Sequence, residues 1–316
     1  MAFYREALFR VAEGKVVLDI GTGDHGILAQ IAIEAGAKHV YAVEIREAAS
    51  KNAQKTLDKL FPGKATVFHR DLAKLTHRDK DVLDALGQVE VVVHEVFGTI
   101  ASEEGIVQIF SNLLQTRRDL GGPVDVISVP QAAETLIAPV TRPTLKGASR
   151  NNADLDEGEV QLWQGYASAE NAAESRFDEP QSVELIKFDQ CPTLPNVWQS
   201  AESVFYAQRG GQWNGLHLQL RLKSGRDVTS LTSGGETTNW EDVYVTVPPP
   251  LGCENWCGGR NVACPCMVKT GERIALKMRS DYLEDSCRYT ISIAEPKRFA
   301  NEVVFTSAEL HAIQLG

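Results

Sequence analysis

Short apolar runs alternate with helical patterns through the first 130 residues of the chain. Val16 to Ile20, His39 to Glu44, Ala65 to Asp71, Val89 to Glu95 and Val124 to Val129 read as strands, and a largely apolar run such as Val89 to Val93 suits a buried parallel sheet. Between them, Ile27 to Ala35 and Arg46 to Leu60 read as helices, the first ended by Gly36 and the second by Pro62-Gly63. This alternation predicts an α/β domain over residues 1–130 with a doubly wound parallel sheet.

After Pro130 the rhythm changes. Glu134 to Val140, Val183 to Phe188, Ala201 to Ala207, Leu216 to Leu222, Val243 to Val247, Arg273 to Met278 and Arg288 to Ile293 are short strand-like runs bounded by Gly, Pro and Asn. Leu216-His217-Leu218-Gln219-Leu220-Arg221-Leu222 alternates apolar with polar residues, the pattern of an antiparallel sheet with one wet face. An antiparallel β-barrel or sandwich is therefore predicted over residues 131–316. The polar stretch from Gly147 to Ser182 interrupts these strands, and its composition alone predicts a solvated loop or short helices.

With 316 residues and 43% hydrophobic content, the chain suits two packed domains. No apolar stretch reaches about 18 residues, and the first residues lack a basic segment followed by an apolar core, so a soluble, cytoplasmic protein without membrane partners is expected. The net charge of −10 and the absence of a dense Lys/Arg run argue against nucleic acid as a partner and favour a cationic substrate. Cys253, Cys257, Cys264 and Cys266 fall in one Gly-rich stretch, but their spacing lacks the paired C-x2-C knuckles of zinc ribbons. Free thiols are expected there, and no metal.

Candidate chemistry begins at Gly21-Thr22-Gly23-Asp24-His25-Gly26, which follows a strand and opens a helix. Glycines there let the backbone approach a ligand while helix N–H groups face it. Glu44 ends the second strand at a distance suited to ribose hydroxyls, and Asp71 ends the third, either to accept from an adenine amino group or to cap a turn. The spacing also fits a G-x-G-x-x-G dinucleotide fingerprint, so these residues leave a nicotinamide-dependent oxidoreductase open. A second cluster follows the fourth strand: Glu95 and Glu104 flank a tight turn containing Gly98. Two acids returned to one cleft repel, and a cation between them resolves the repulsion.

This spacing resembles the double-glutamate loop of the protein arginine methyltransferase family, Ser-Glu-(eight residues)-Glu, with His94 in place of the serine. Val16-Val17-Leu18-Asp19-Ile20-Gly21-Thr22-Gly23 resembles the family's first cofactor motif, Val40 to Glu44 its second, and Thr238-Asn239-Trp240 its Thr-His-Trp loop. The resemblance implies a Rossmann-like domain followed by a β-barrel, and S-adenosyl-L-methionine as cofactor, held by Asp19, Gly21, Gly23, Glu44, Asp71 and Arg5. It further implies a guanidino substrate held by Glu95, Glu104, Trp240 and Asn239, and a homodimer built through an arm near residues 147–182. Tyr4-Arg5 resembles the end of the family's N-terminal lid, so most of that lid is expected to be absent and the site more open or covered by a partner.

A guanidinium is a poor nucleophile, its lone pair delocalised over a plane. Glu95 and Glu104 would neutralise it, localise its charge and fix its plane; lysine, a point charge, would use such a clamp poorly. Glu103, beside them, reads as a bystander. The substrate reading leans to free L-arginine, methylated once, with peptidyl arginine as the alternative. A catalytically silent relative that binds a partner through its barrel is the remaining reading, and intact glutamates and glycines argue against it.

Overall fold

The computed structural model describes residues 1–121, 125–142, 146–150, 161–166, 169–190, 198–225, 231–233, 242–248, 266–282 and 286–314. Asn239, Trp240, Cys253, Cys257 and Cys264 lie outside the described residues.

The first half runs α1 (Ala2–Val11), β1 (Val16–Ile20), α2 (Ile27–Glu34), β2 (His39–Glu44), α3 (Glu47–Leu60), β3 (Ala65–His69), α4 (Lys80–Leu86), β4 (Val91–His94), α5 (Ile106–Asp119) and β5 (Ile127–Val129). Its five strands form one parallel sheet in the order β3-β2-β1-β4-β5. Every residue of β1 and β4 is buried, which is why these runs are apolar on both faces except at Asp19 and His94 rather than alternating. The strand order reverses between β1 and β4, and the crevice beyond their carboxyl ends is where such sheets take ligands. Gly21 leaves β1 and Glu95 leaves β4 at that crevice.

The second half continues as β6 (Ala132–Val140), β7 (Lys146–Arg150), β8 (Leu162–Tyr166), α6 (Ala169–Ser175), β9 (Gln181–Lys187), β10 (Trp198–Tyr206), β11 (Gly211–Gln212), β12 (Gly215–Lys223), β13 (Leu231–Thr232), β14 (Asp242–Thr246), β15 (Met267–Val268), β16 (Arg273–Asp281), β17 (Arg288–Glu295), β18 (Asn301–Thr306) and α7 (Ser307–Gln314). The predicted barrel or sandwich is realised, among the described residues, as two larger antiparallel sheets. One runs β7-β8-β14-β12-β6-β9, with β13 paired to β12, and the other β10-β16-β17-β18. The Gln199 side chain joins them, donating to the Leu185 carbonyl and accepting from its N–H at 2.8 and 3.0 Å. The region read as a solvated loop or short helices holds the short helix α6 and also the strands β7 and β8.

Two kinds of contact weld the halves. His94 is buried among Phe97 and Phe110 from the first half and Phe188 from the second, with ring centroids 5.0, 4.9 and 4.5 Å away. Burial pushes its imidazole down to about 3, so His94 is a neutral packing group. Beside it, the buried Glu184 of β9 accepts from Ser102 and Tyr282 hydroxyls at 2.7 Å and from Thr135. Ser102 lies between Gly98 and Glu104, so this network pins the double-glutamate turn to the antiparallel half.

Candidate active site

The crevice opens into a cavity of about 1050 Å³ lined by both candidate clusters: Gly21, Gly23, Glu44 and Asp71 on one side of the chain's logic, Glu95 and Glu104 on the other. Residues separated by up to 83 positions meet here because β1, β2, β3 and β4 all end at the same edge of the sheet.

The glycine turn is built for close approach. Gly21 has φ +72°, and a Cβ there would meet Val96 at 3.1 Å, so a side chain would be both strained and crowded. Glu44 is buried, its Oε2 accepting from Gly23 N–H and its Oε1 from Arg46 N–H, each at 2.9 Å. A carboxylate has about four acceptor positions, so vicinal ribose hydroxyls still find partners on Glu44. Asp71 lines the cavity and also caps the short helical turn after β3, accepting from Ala73 N–H at 2.9 Å. Arg46 and Arg70 edge the same region, each paired: Arg46 with Asp24 and Glu44, Arg70 with Asp79 and Asp81.

Two expected cofactor residues take other places. Asp19 is fully buried and does not line the cavity; its Oδ2 accepts from Thr22 Oγ1 at 2.5 Å and Ala29 N–H at 3.1 Å, so it braces the glycine turn against α2 from beneath. Burial pushes its carboxyl up to about 7, against the pull of those two hydrogen bonds. Arg5 lies outside the cavity and pairs with Glu34 of α2 at 2.8 Å. The reason is helical geometry. Tyr4 is buried and donates to the His94 carbonyl at 3.0 Å, and successive residues on α1 are turned about 100°, which sends Arg5 toward α2.

Glu95 directly follows β4, and Glu104 precedes Gly105, the N-cap of α5. Burial raises the Glu95 carboxyl above its ordinary range. Glu104 is pushed up to about 7, by burial first and then by Glu103 and Glu95, while His311 pulls it down. Glu104 is exposed on the cavity, so solvent moderates the burial contribution, and the neighbouring carboxylates act in the same direction. Such a pair prefers a cation between its members.

Glu103 is not a bystander. Its side chain is fully enclosed, and its Oε2 accepts from Thr99 N–H at 2.6 Å and Thr99 Oγ1 at 2.7 Å. Its carboxylate lies on Gly98, where a Cβ would fall 2.1 Å from Oε2. Gly98 therefore serves the turn by making room for Glu103.

The sequence reading missed the far wall of the cavity, formed by Ser286, Cys287 and, from α7, Ser307, Ala308, His311 and Ala312. A signal existed. Thr306 and Glu309 form a capping box, Thr306 N–H donating to Glu309 at 2.6 Å and Glu309 N–H to Thr306 Oγ1 at 3.3 Å, the T-x-x-E pattern that starts a helix.

No family model matches the chain. It is 28% identical over 203 residues to a protein of Arabidopsis thaliana named probable protein arginine N-methyltransferase 6, a match covering 61% of this chain and 41% of that protein. It is 30% identical over 163 residues to probable protein arginine N-methyltransferase 6.1 of Oryza sativa subsp. indica, covering 51% of this chain and 37% of that one. The chain is thus similar in sequence to proteins named as probable protein arginine N-methyltransferases. It spans about two fifths of the length of the curated relatives it matches. Its fold matches that of the Trypanosoma brucei PRMT1 enzyme-prozyme heterotetrameric complex with AdoHcy, with a TM-score of 0.69 at 17% identity over 96% of this chain and 93% of that one. A crystal structure of PRMT6 matches with a TM-score of 0.64, also at 17% identity, over 97% and 96% of the two chains. In this chain, both the glycine turn and the double-glutamate turn thus stand on a shared cavity.

Proposed function

We propose that the chain transfers a methyl group from S-adenosyl-L-methionine to a guanidino nitrogen of arginine. The observation that carries this reading is the convergence of Glu95 and Glu104 on the cavity that Gly21, Gly23 and Glu44 also line. A nicotinamide oxidoreductase would use the glycine turn and leave the paired carboxylates without a role. Glu44 would hold the ribose, the glycine turn would admit the nucleoside, and Asp71 would face the adenine. Bound there, the cofactor supplies an electrophilic methyl group on a sulfonium. Glu95 and Glu104 receive the guanidinium by paired N–H···O contacts, hold its charge away from the attacking nitrogen, and fix that nitrogen for in-line approach. The methylated nitrogen becomes acidic, and Glu104, with its carboxyl near 7, is the clamp member suited to take the proton.

Calorimetry tests the cofactor half of this reading. Glu44→Ala lowers S-adenosylmethionine affinity by about tenfold or more, the loss of one charged hydrogen-bonding partner. Tight binding of NADH with none of S-adenosylmethionine reverses the choice of cofactor.

Free L-arginine, giving Nω-methyl-L-arginine in a biosynthetic pathway, is the substrate we propose. A cavity of about 1050 Å³ takes a nucleoside cofactor together with an amino-acid-sized ligand. Peptidyl arginine offers the same guanidino group, and the relatives' names favour it. In mass-spectrometric product analysis with free arginine and an arginine-rich peptide side by side, monomethylarginine accumulates at high conversion, because the first methyl adds bulk against the carboxylate clamp. Turnover of the peptide alone, or efficient dimethylation, assigns the pocket to the other substrate or product. The reading includes a cytoplasmic homodimer. No helix among the described residues is long and apolar enough to cross a membrane, and β7 and β8, from the 147–182 region, form the outer edge of the larger antiparallel sheet.

A further inference from the structure

Three carboxylates, Glu95, Glu103 and Glu104, line one side of the cavity, and Glu103 has an oxygen with no hydrogen-bond partner. Oε2 is fully used by Thr99, whereas Oε1 is buried and makes no hydrogen bond. A buried ionised carboxylate is costly unless an opposite charge stands near it. The group that does is His311, whose Nδ1 lies 3.5 Å from Glu103 Oε1. The other cations lining the cavity, Arg46 and Arg70, are already engaged with Asp24, Glu44, Asp79 and Asp81.

His311 is held where it is by α7. The helix is started by the Thr306–Glu309 capping box. It is tied to the residues just before β17 through Ser307 Oγ, which accepts from Cys287 N–H at 3.0 Å, and through Ser286 Oγ, which accepts from Ala308 N–H at 3.1 Å. Leu310 is buried beneath it. This leaves the imidazole half in the cavity and half against Glu103, with a side-chain exposure of 52%.

We propose that His311 is a positioning residue of the two-glutamate clamp: its imidazolium is the counter-ion of buried Glu103 and, through Glu103, fixes the turn that carries Glu95 and Glu104. The mechanical link runs through atoms already described. Glu103 packs on Gly98 and binds Thr99, both inside the turn, and it adjoins Glu104 in sequence. The electrostatic link runs through space, since His311 also favours the ionised form of Glu104 against burial and the other two carboxylates. Among the described residues Glu103 and Glu104 are the carboxylates that interact with His311. Glu309, on its own helix, is turned back to Thr306.

The consequence for catalysis rests on the methyl-transfer reading, so the test separates the two. In protein labelled with ¹³C at glutamate carboxyls, NMR titration of His311→Gln shows the Glu104 midpoint displaced to higher pH than in the wild type, while His311→Lys, which keeps a cation, leaves it at or below the wild-type value. With S-adenosylmethionine and a guanidino substrate, His311→Gln lowers kcat about tenfold, one pKa unit of charge interaction, with KM for the cofactor unchanged, and His311→Lys recovers most of that loss. An unmoved Glu104 titration in His311→Gln overturns the proposal. So does full activity in His311→Gln or equal damage in His311→Lys, which would reduce His311 to a filler of space. If the wild-type protein methylates no guanidino compound, yet His311→Gln displaces the Glu104 titration, the counter-ion role is sustained and the reaction refuted.

Discussion

Glu104→Gln and Glu95→Gln each lower kcat at least about a hundredfold, the scale of loss when one preorganised charged group is taken from a transition state. S-adenosylmethionine binding by calorimetry changes little, because neither carboxylate belongs to the glycine turn or to Glu44. An amide keeps the shape of the carboxyl but gives up its charge and one of its two acceptor oxygens, both of which a guanidinium plane requires. Glu104 adds a signature in pH. Its carboxyl is pushed up to about 7 by burial and by Glu103 and Glu95, and it must be ionised to receive the substrate. The rate constant kcat/KM therefore falls as pH drops through about 7. Once the guanidinium is bound it favours the carboxylate, so the acid limb of kcat lies at lower pH than that of kcat/KM. Glu104→Gln removes this limb along with most of the rate. Turnover within about tenfold of wild type in either variant, with the pH profile unchanged, would assign the chemistry to other residues.

Gly98→Ala is the most damaging single methyl group the site can receive. Its Cβ would occupy the Glu103 carboxylate's place, 2.1 Å from Oε2 and 2.2 Å from Cδ. Glu103 must then leave Thr99, which strands a buried N–H and hydroxyl and draws the carboxylate away from His311. The stranded groups cost roughly 1–3 kcal/mol, read as a lowered thermal midpoint. The same displacement shifts the turn between Glu95 and Glu104, so methyl transfer falls with stability. A double-mutant cycle isolates the cause: with Glu103→Ala already present, Gly98→Ala adds little further loss, because the group it collides with is gone. Additive losses in the cycle would place the strain in the backbone at Gly98 itself.

The parts of the molecule legible from sequence are those in which one local pattern has one physical solution. Val16 to Leu18 and Val91 to Val93 are apolar without alternation because both faces of the parallel sheet are covered, and glycines at 21 and 23 mark the turn that leaves it. The spacing of Glu95, Gly98 and Glu104 named the clamp because its chemistry lies within ten residues of chain. Short helices were harder. α4 and α7 span seven and eight residues, about two turns, too few to establish a 3.6-residue period against background.

Sequence by itself determined the class of fold, the order of its halves and the candidate glycine and glutamate turns, since strand burial, turn geometry and carboxylate pairing are properties of contiguous residues. Tertiary structure alone decided which of them share a cavity. Asp19 and Arg5 fit the expected cofactor set by position, yet the packing of β1 puts Asp19 beneath the turn and the twist of α1 sends Arg5 to Glu34. Glu103 read as a bystander of the clamp until Gly98, Thr99 and the distant His311 were seen around it. Those contacts join positions up to 208 residues apart, and a buried charge acquires its partner only when the chain has folded to bring one.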